Sequence, residues 1–395
     1  MALSDLWLAS PQQLTDKLVK QLISFSGSGQ LRDGNEASSE FRDFLAKVPS
    51  SFLARYADEC IRESFEASGF ALQDIINQVG KRLGFSVSYG RYRGTSGHIG
   101  FDGLWQFPDG HTVIAEVKTT DTYRIDLNSI AGYRRALINR GECKEEQSSI
   151  LIIVGRQDTG DLEAQIRGSR HAWDIRLISI DALLRLMSLK EEVEDPRIIE
   201  KICAILIPRE FTRVDSIIDI VFSAAEDVRI EEEFEMDQEE QEDQETERKV
   251  KFTPVKFYDA CISQIEHFLG QPLLKHSKVT YSSSDGTISL ICAISKEHNK
   301  NGQSSFWFAF HPHHQNYLEA AQRAFVALGC GSDQTVLMIP YAEFRLWLDG
   351  MNMTKKEDRF YWHISIFRDE GKFVLHRRRG QSRIDLSKYI LQTGD

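Results

Sequence analysis

The stretch that decides the fold reads Gly100-Phe-Asp-Gly-Leu-Trp-Gln-Phe-Pro-Asp-Gly-His-Thr-Val-Ile-Ala-Glu-Val-Lys-Thr-Thr120. Its middle, Pro-Asp-Gly at 108–110, has the residues of a tight turn, and strand-forming residues flank it on both sides. The pattern predicts a β-hairpin with strands over 98–107 and 111–120, in which residues whose numbers sum to about 218 lie opposite each other. Alternation along the second strand places one set of side chains on one face, Ile114, Glu116 and Lys118, and another set on the other, Val113, Ala115 and Val117.

This register brings two carboxylates together. Asp102 falls opposite Glu116, with about 5 Å between their Cβ atoms, and like charges in that position are destabilising unless a cation lies between them. Lys118 lies on the same side as Glu116, about 7 Å along the strand. Two oxygen ligands and an ammonium group are what metal-assisted phosphodiester hydrolysis needs, because a divalent metal polarises a phosphoryl oxygen and acidifies a bound water. From these three residues alone, an ordinary hairpin with a Lys–Glu face is the alternative.

The segments around the hairpin predict alternating helices and strands. Residues 1–66 are predicted to be helical, with helices over 11–24, 37–48 and 51–65, and a buried helical stripe over 71–83 leads into a strand over 85–89. The segments after the hairpin predict further helices and strands in alternation, over 127–139, 149–154, 162–172, 175–180 and 182–189. A hairpin followed by α/β alternation predicts a mixed sheet flanked by helices, so the expected fold class is α/β (α+β).

With this context, the chain resembles the PD-(D/E)xK nuclease superfamily, which includes restriction endonucleases and Mrr-like enzymes. The signature is Asp102, a spacer, and then Glu116-Val117-Lys118, and the order of elements from 71 to 154 matches the family core. The resemblance covers roughly 67–190 and implies a restriction-endonuclease-like fold. It also implies that Asp102, Glu116 and the Val117 carbonyl bind Mg²⁺ or Mn²⁺ and that Lys118 is the catalytic lysine.

The chain departs from the family pattern at two places. Phe101 stands where the motif name has proline. Many members carry a glutamate on the first helix, where this chain has Gln73 and Asp74. Asp74 is therefore either an accessory metal ligand or a solvent-facing polar residue of an amphipathic helix, and the choice between one-metal and two-metal chemistry stays open.

Charge is distributed unevenly along the chain. The formal net charge is −11, yet 226–247 alone holds 13 Asp/Glu and one Arg, while 248–395 holds 20 Lys/Arg against 14 Asp/Glu. The acidic stretch is of low complexity and predicts a linker over 226–249. The expected organisation is a helical N-terminal region over 1–66, a nuclease domain over 67–225, this linker, and an α+β recognition or sensor domain over 250–395. No internal repeat is evident in the sequence.

The predicted C-terminal domain consists mainly of strands. Helices are expected over 255–269, 317–328 and 341–348, and strands over 278–282, 287–295, 304–310, 334–339, 361–367 and 372–376. Phe306, Phe308 and Phe310 alternate and are expected to form one face of a core strand. The domain's basic balance suggests a nucleic-acid-reading module, with contacts from Arg377, Arg378 and Arg379.

Arginines near the hairpin are further candidates for contact with a phosphate backbone. Arg91 and Arg93 precede Asp102 beside tyrosines, and Arg134 and Arg135 follow Tyr133 on the predicted helix over 127–139. A solvated helix face explains Arg134 and Arg135 almost as well.

The sequence therefore predicts a divalent-metal-dependent DNA endonuclease, in restriction or anti-phage defence, that acts on double-stranded DNA. The alternatives are a non-catalytic DNA-binding subunit of a defence complex and a structure-specific repair nuclease. Double-strand cleavage favours a homodimer or a larger defence complex, since one such site cuts one strand. Six scattered cysteines indicate a reduced, cytoplasmic protein, and no apolar run approaches the ~20 residues that a membrane helix needs.

Overall fold

The computed structural model describes residues 2–63, 65–94, 98–119, 125–155, 160–208, 254–300, 303–332, 335–355, 360–369 and 371–391. Its contacts divide the chain into two units, Met1–Glu235 and Met236–Asp395. Both units combine helices with sheets, so the protein is of the mixed α/β class. The predicted acidic linker over 226–249 lies outside the described residues. Within the described ranges, no helix is long and apolar enough to cross a membrane.

The N-terminal unit begins with five helices. They are α1 (Leu3–Ala9), α2 (Gln12–Thr15), α3 (Val19–Phe25), α4 (Glu36–Lys47) and α5 (Ser50–Arg62). The single helix predicted over 11–24 is wrong, because Leu18 adopts an extended backbone and the Gln21 side chain accepts its N–H, which starts a new helix. The buried Phe41 and Tyr56 of these helices belong to the same core cluster as Leu72 and Trp105, so the N-terminal helices and the sheet share one core.

A mixed sheet forms the centre of this unit. Its strands are β1 (Ser86–Tyr89), β2 (Gly103–Gln106), β3 (Thr112–Lys118), β4 (Ser148–Val154) and β5 (Ile175–Ser179), in the order β1-β2-β3-β4-β5. The first three strands form an antiparallel meander, and β4 and β5 continue it in parallel. The other α-helices that the structure describes in this unit are α6 (Ser68–Leu83), α7 (Leu127–Asn139), α8 (Gly160–Arg167), α9 (Ile180–Glu192) and α10 (Pro196–Ala204).

The predicted hairpin register and its two faces are confirmed. Gly103 lies opposite Ala115, which gives the expected sum. Ala115 packs in the core that contains α6, whereas Ile114 packs in the core that contains residues of α7 and α8. The sheet is thus covered on both faces, as parallel strands usually are.

Helix α6 lies close to β2 because each of them has a glycine where it meets a side chain of the other. A Cβ on Gly80 would lie 2.7 Å from the Trp105 ring, and one on Gly103 would lie 2.1 Å from Oδ1 of Asn77. The helix ends at Gly84, whose φ of 102° is readily available only to glycine. This close approach brings the polar side of α6 to the start of β2.

Over its described residues, the C-terminal unit contains two sheets. The α-helices described there are α11 (Pro254–Leu269), α12 (Pro312–Glu319) and α13 (Tyr341–Phe344). One sheet has the order β6-β7-β8-β11-β12 and contains β6 (Leu273–Lys275), β7 (Thr280–Ser283), β8 (Ile288–Ser295), β11 (Arg323–Cys330) and β12 (Val336–Pro340). The other sheet contains β9 (His298–Lys300), β10 (Gln303–Phe310), β13 (Asn352–Lys355), β14 (Phe360–Asp369), β15 (Lys372–His376) and β16 (Ile384–Asp385).

One secondary-structure prediction in this unit is confirmed and another is wrong. Phe306, Phe308 and Phe310 are all buried in one core, as expected of a core strand. The helix predicted over 317–328 is wrong, because the second half of that segment belongs to β11, a buried strand between β8 and β12. Its alanines and leucine favour a helix in isolation, but pairing on both sides overrides that preference.

Candidate metal and catalytic site

Asp102 lies directly before β2, and its backbone is held from three directions. Its N–H donates to the Ala115 carbonyl at 3.2 Å. Its own carbonyl accepts from Nε2 of Gln73 at 3.0 Å and from Nδ2 of Asn77 at 2.9 Å, and also from the Gly90 N–H at 2.9 Å. Helix α6 therefore fixes the peptide that carries the first carboxylate.

The Asp102 carboxylate faces the end of β3. Its Oδ2 accepts from the Val117 N–H at 2.7 Å. Burial and, next to it, the negative charge of Glu116 raise the pKa of Asp102 to about 7, although the Val117 N–H and the Lys118 ammonium oppose that rise. The carboxylates of Asp102 and Glu116 therefore interact, as expected of residues that lie opposite each other in the hairpin.

Glu116 has one satisfied oxygen and one that is not. Its Oε1 accepts from Nζ of Lys118 at 2.6 Å. Its Oε2 is buried and has no hydrogen-bond partner among the described residues, and the residue as a whole is only 6% exposed. A buried carboxylate oxygen without a partner is costly, so this atom calls for a ligand.

Lys118 balances part of the negative charge. Burial lowers the pKa of its ammonium, but Glu116 and then Asp102 outweigh that effect and raise it above its ordinary value. The lysine is therefore charged at neutral pH. Burial and then the charge of Glu116 raise the pKa of Tyr133 on α7, and a Cβ on Gly100 would lie 2.9 Å from the Tyr133 hydroxyl.

The donor set fits a hard divalent cation. Within a strand, the N–H and carbonyl of one residue point to the same neighbour, so the Val117 carbonyl points to the side on which its N–H meets Asp102. The Asp102 carboxylate, Oε2 of Glu116 and this carbonyl are oxygen ligands of the kind that Mg²⁺ and Mn²⁺ prefer. With both acids ionised and Lys118 charged, the group carries a net charge of about −1, which favours a cation.

The two α6 residues predicted as accessory groups serve other contacts. Gln73 is buried and donates to the Asp102 carbonyl, so it positions the acid through its backbone. Asp74 is not a solvent-facing residue, since it is fully buried. Its oxygens accept from Nε of Arg42 at 2.9 Å and from the Tyr92 hydroxyl. Burial raises the pKa of Asp74 to about 6 in spite of the arginine.

The predicted phosphate-contacting arginines divide into two groups. Arg91, Arg93, Arg135 and Arg379 are exposed. Arg134 is neither on a solvated helix face nor at the surface, because it is buried and donates to Ser148 and Glu145 while it pairs with Asp174 at 3.3 Å.

The two arginines before Arg379 also have contacts within the chain. Arg377 donates to Ser382, and Arg378 donates to the Met351 carbonyl.

Asn77 is a site residue that the sequence analysis missed. Besides its contact with Asp102, its Oδ1 accepts the indole N–H of Trp105 at 2.8 Å. Its spacing of four residues from Gln73 places both amides on one side of the helix that precedes the hairpin, and this spacing was the available signal.

A comparison of the chain with protein-family models and with curated proteins finds no match.

Proposed function

We propose that the N-terminal unit is a divalent-metal-dependent endodeoxyribonuclease of the PD-(D/E)xK type. The observation that carries the proposal is the buried Oε2 of Glu116, which has no hydrogen-bond partner in the part of the chain that the structure describes, on a strand face where Asp102 lies opposite and Lys118 adjoins. Support also comes from the helix, three-stranded meander, helix and parallel strand that surround these residues.

Each residue of the site has a role in this proposal. Asp102, Glu116 and the Val117 carbonyl would hold Mg²⁺ or Mn²⁺, which when bound polarises the scissile phosphate and acidifies a water. Lys118 would orient that water or neutralise charge on the phosphate as it develops. Asn77 and Gln73 hold the Asp102 peptide in place.

The wider biological setting belongs to the same proposal. The chain would cut double-stranded DNA in restriction or anti-phage defence, in the cytoplasm, as a homodimer or within a defence complex. The C-terminal unit would contact or recognise nucleic acid, and the exposed Arg379, with Arg91, Arg93 and Arg135 of the N-terminal unit, would contribute backbone contacts.

The test is a cleavage assay on plasmid, phage and methylated DNA with Mg²⁺ or Mn²⁺. We expect metal-dependent nicking or linearisation that is lost in Glu116→Ala and in Lys118→Ala. The matched controls, Glu146→Ala and Lys144→Ala, change exposed residues of the same unit and should cleave like the unaltered protein. DNA binding without cleavage and without metal uptake in every condition would replace this proposal with that of a non-catalytic DNA-binding subunit.

A further inference from the structure

The β6-β7-β8-β11-β12 sheet of the C-terminal unit has the same order and direction of strands as the N-terminal sheet over its first four positions. In both sheets the first three strands are antiparallel neighbours, and the fourth lies parallel to the third. The fifth strands differ, because β5 is parallel to β4 whereas β12 is antiparallel to β11.

The helices repeat the arrangement as well. Helices α6 and α11 each span 16 residues directly before the meander. Each is followed by a glycine with positive φ, 102° at Gly84 and 69° at Gly270. Helix α11 packs on the face of β8 that contains Leu290 and Cys292, while α12 packs on the opposite face. Helices α6 and α7 divide the two faces of β3 in the same way.

The register fixes which residues correspond. Lys118 pairs with the last residue of β4, and Ser295 pairs with the last residue of β11. Counting back along β3 and β8 from these ends sets Ala293 at the position of Glu116, and both lie on the face toward the second helix. The pairing of Tyr281 with Leu290 and the hydrogen bond from the Cys292 N–H to the Val279 carbonyl at 2.8 Å carry the register one residue past the start of β7. Continuing that register by one more residue sets Lys278, in the turn between β6 and β7, at the position opposite Ala293, as Asp102 directly before β2 faces Glu116.

We propose that the C-terminal unit is a second copy of the N-terminal core in which Lys278, Ala293 and Ser295 occupy the positions of Asp102, Glu116 and Lys118. This copy has no acid at either ligand position, so it does not fit a divalent cation. The Ser295 hydroxyl is engaged in the fold, since it donates to the Lys296 carbonyl at 2.9 Å and accepts the Trp307 N–H at 3.1 Å.

The functional consequence rests on the proposed function of the N-terminal unit. Metal binding by the Asp102–Glu116 pair and hydrolysis then belong to the N-terminal unit, and the matching positions of the C-terminal unit have a role without hydrolysis. A lysine in place of an acid turns a position suited to a cation into one suited to an anion such as a backbone phosphate.

A graft of the missing acids into the full chain tests the correspondence. In a Glu116→Gln background, Lys278→Asp with Ala293→Glu should restore about one equivalent of bound Mn²⁺, read from the loss of the free-ion signal in electron paramagnetic resonance. The matched control, Lys278→Asp with Ala293→Gln, keeps the size of the side chain and lacks the second acid, so it should bind none. A folded graft that takes up no more Mn²⁺ than this control would overturn the proposal.

A cysteine pair provides a second readout that does not depend on metal. Positions 278 and 293 should form a non-hydrogen-bonded cross-strand pair, whose short Cα separation suits a disulfide. Lys278→Cys with Ala293→Cys should therefore form one under mild oxidation, as measured by mass spectrometry after peptide mapping. Absence of the 278–293 crosslink in folded protein would contradict the register. If the unaltered chain binds no Mn²⁺, the proposed nuclease fails, while the graft and the crosslink still decide whether the core is repeated.

Discussion

At the scale of single residues, Asp102 bears the cost of an acid buried beside another acid. Its raised pKa of about 7, against an ordinary 3.8, means that the folded chain binds its proton more tightly than the unfolded chain. This contribution to stability is complete below about pH 4 and is lost as the pH rises through about 7.

Asp102→Asn should therefore stabilise the metal-free protein, by on the order of 1–3 kcal/mol above pH 7 and by little near pH 4. The asparagine oxygen can still accept the Val117 N–H. Thermal melts from pH 4 to 8.5 measure the effect, and added Mg²⁺ should raise the melting temperature of the unaltered protein only. Asp126→Asn is the control, because hydrogen bonds from Ser129 lower the pKa of Asp126 and its removal should give no gain at high pH. A gain for Asp102→Asn that is equal at all pH values would contradict this account.

Asn77 and Gln73 support Asp102 to different degrees. Asn77→Leu leaves both the Trp105 indole and one bond to the Asp102 carbonyl unsatisfied, so we expect a loss of about 2–4 kcal/mol in the free energy of unfolding. Gln73→Leu removes contacts only to backbone carbonyls and should cost about 1–2 kcal/mol. Urea denaturation measures both losses, and Mn²⁺ titration should show weaker binding in each variant. Equal losses of stability would mean that the indole bond contributes nothing.

The sequence predicts which face of the strand Glu116 and Lys118 occupy, but it does not predict the burial of other charged residues near the site. Alternation with period two is enough to place Glu116 and Lys118 together, because each strand residue has only two directions available. Asp74 and Arg134 could not be placed in this way. Their burial depends on partners far along the chain, Arg42 for the first and Asp174 for the second.

At the scale of elements, the contact between α6 and β2 depends on the absence of a side chain at position 80. Gly80→Ala gains about 1 kcal/mol of helix propensity, but its Cβ would overlap the Trp105 ring, at a cost of about 1–3 kcal/mol. We expect a net loss of stability in urea denaturation. Gly132→Ala is the matched control, since that glycine lies in α7, is exposed, and would have no described atom within 4 Å of its Cβ. It should gain about 0.5–1 kcal/mol. A gain of stability in both variants would show that the Trp105 ring moves aside without cost.

The ion pair between α4 and α6 gives a second prediction at this scale. Arg42→Met leaves Asp74 buried without its cation and should cost about 3–5 kcal/mol. Because the arginine lowers the pKa of Asp74, its removal should raise that pKa further, so the loss should be smaller at pH 5 than at pH 8. Arg62→Met breaks an exposed pair with Asp58 and should cost less than about 0.5 kcal/mol. A loss for Arg42→Met that does not change with pH would contradict a charged Asp74.

Element prediction succeeds where local pattern and tertiary context agree. The hairpin register follows from a Pro-Asp-Gly turn and strict alternation, and the structure has it. The segment now seen as β11 reads as a helix locally and becomes a strand because β8 and β12 pair with it. The repeated core is equally invisible in sequence, since corresponding positions such as Glu116 and Ala293 share a place in the register rather than a residue type.

At the scale of the whole molecule, the proposed nuclease has one cutting site in each chain. Two chains are therefore needed to cut both strands of DNA at one place. The C-terminal unit cannot supply the second site, because the matching positions hold Lys278, Ala293 and Ser295. Nicked circles should therefore precede linear plasmid, and linear product should rise more steeply than in proportion to protein concentration.

Mixing chains tests this requirement directly. A tenfold excess of Lys118→Ala protein, added before DNA at a fixed amount of unaltered protein, should place most active chains beside inactive ones. The reaction should then stop at nicked circles, with linear product falling roughly tenfold, while an equal excess of the Lys144→Ala control should not suppress linear product. Gel analysis of supercoiled, nicked and linear plasmid over time measures the ratio. If excess Lys118→Ala protein leaves the share of linear product unchanged, each chain cuts both strands by itself, and the assignment of a single cutting site per chain is wrong.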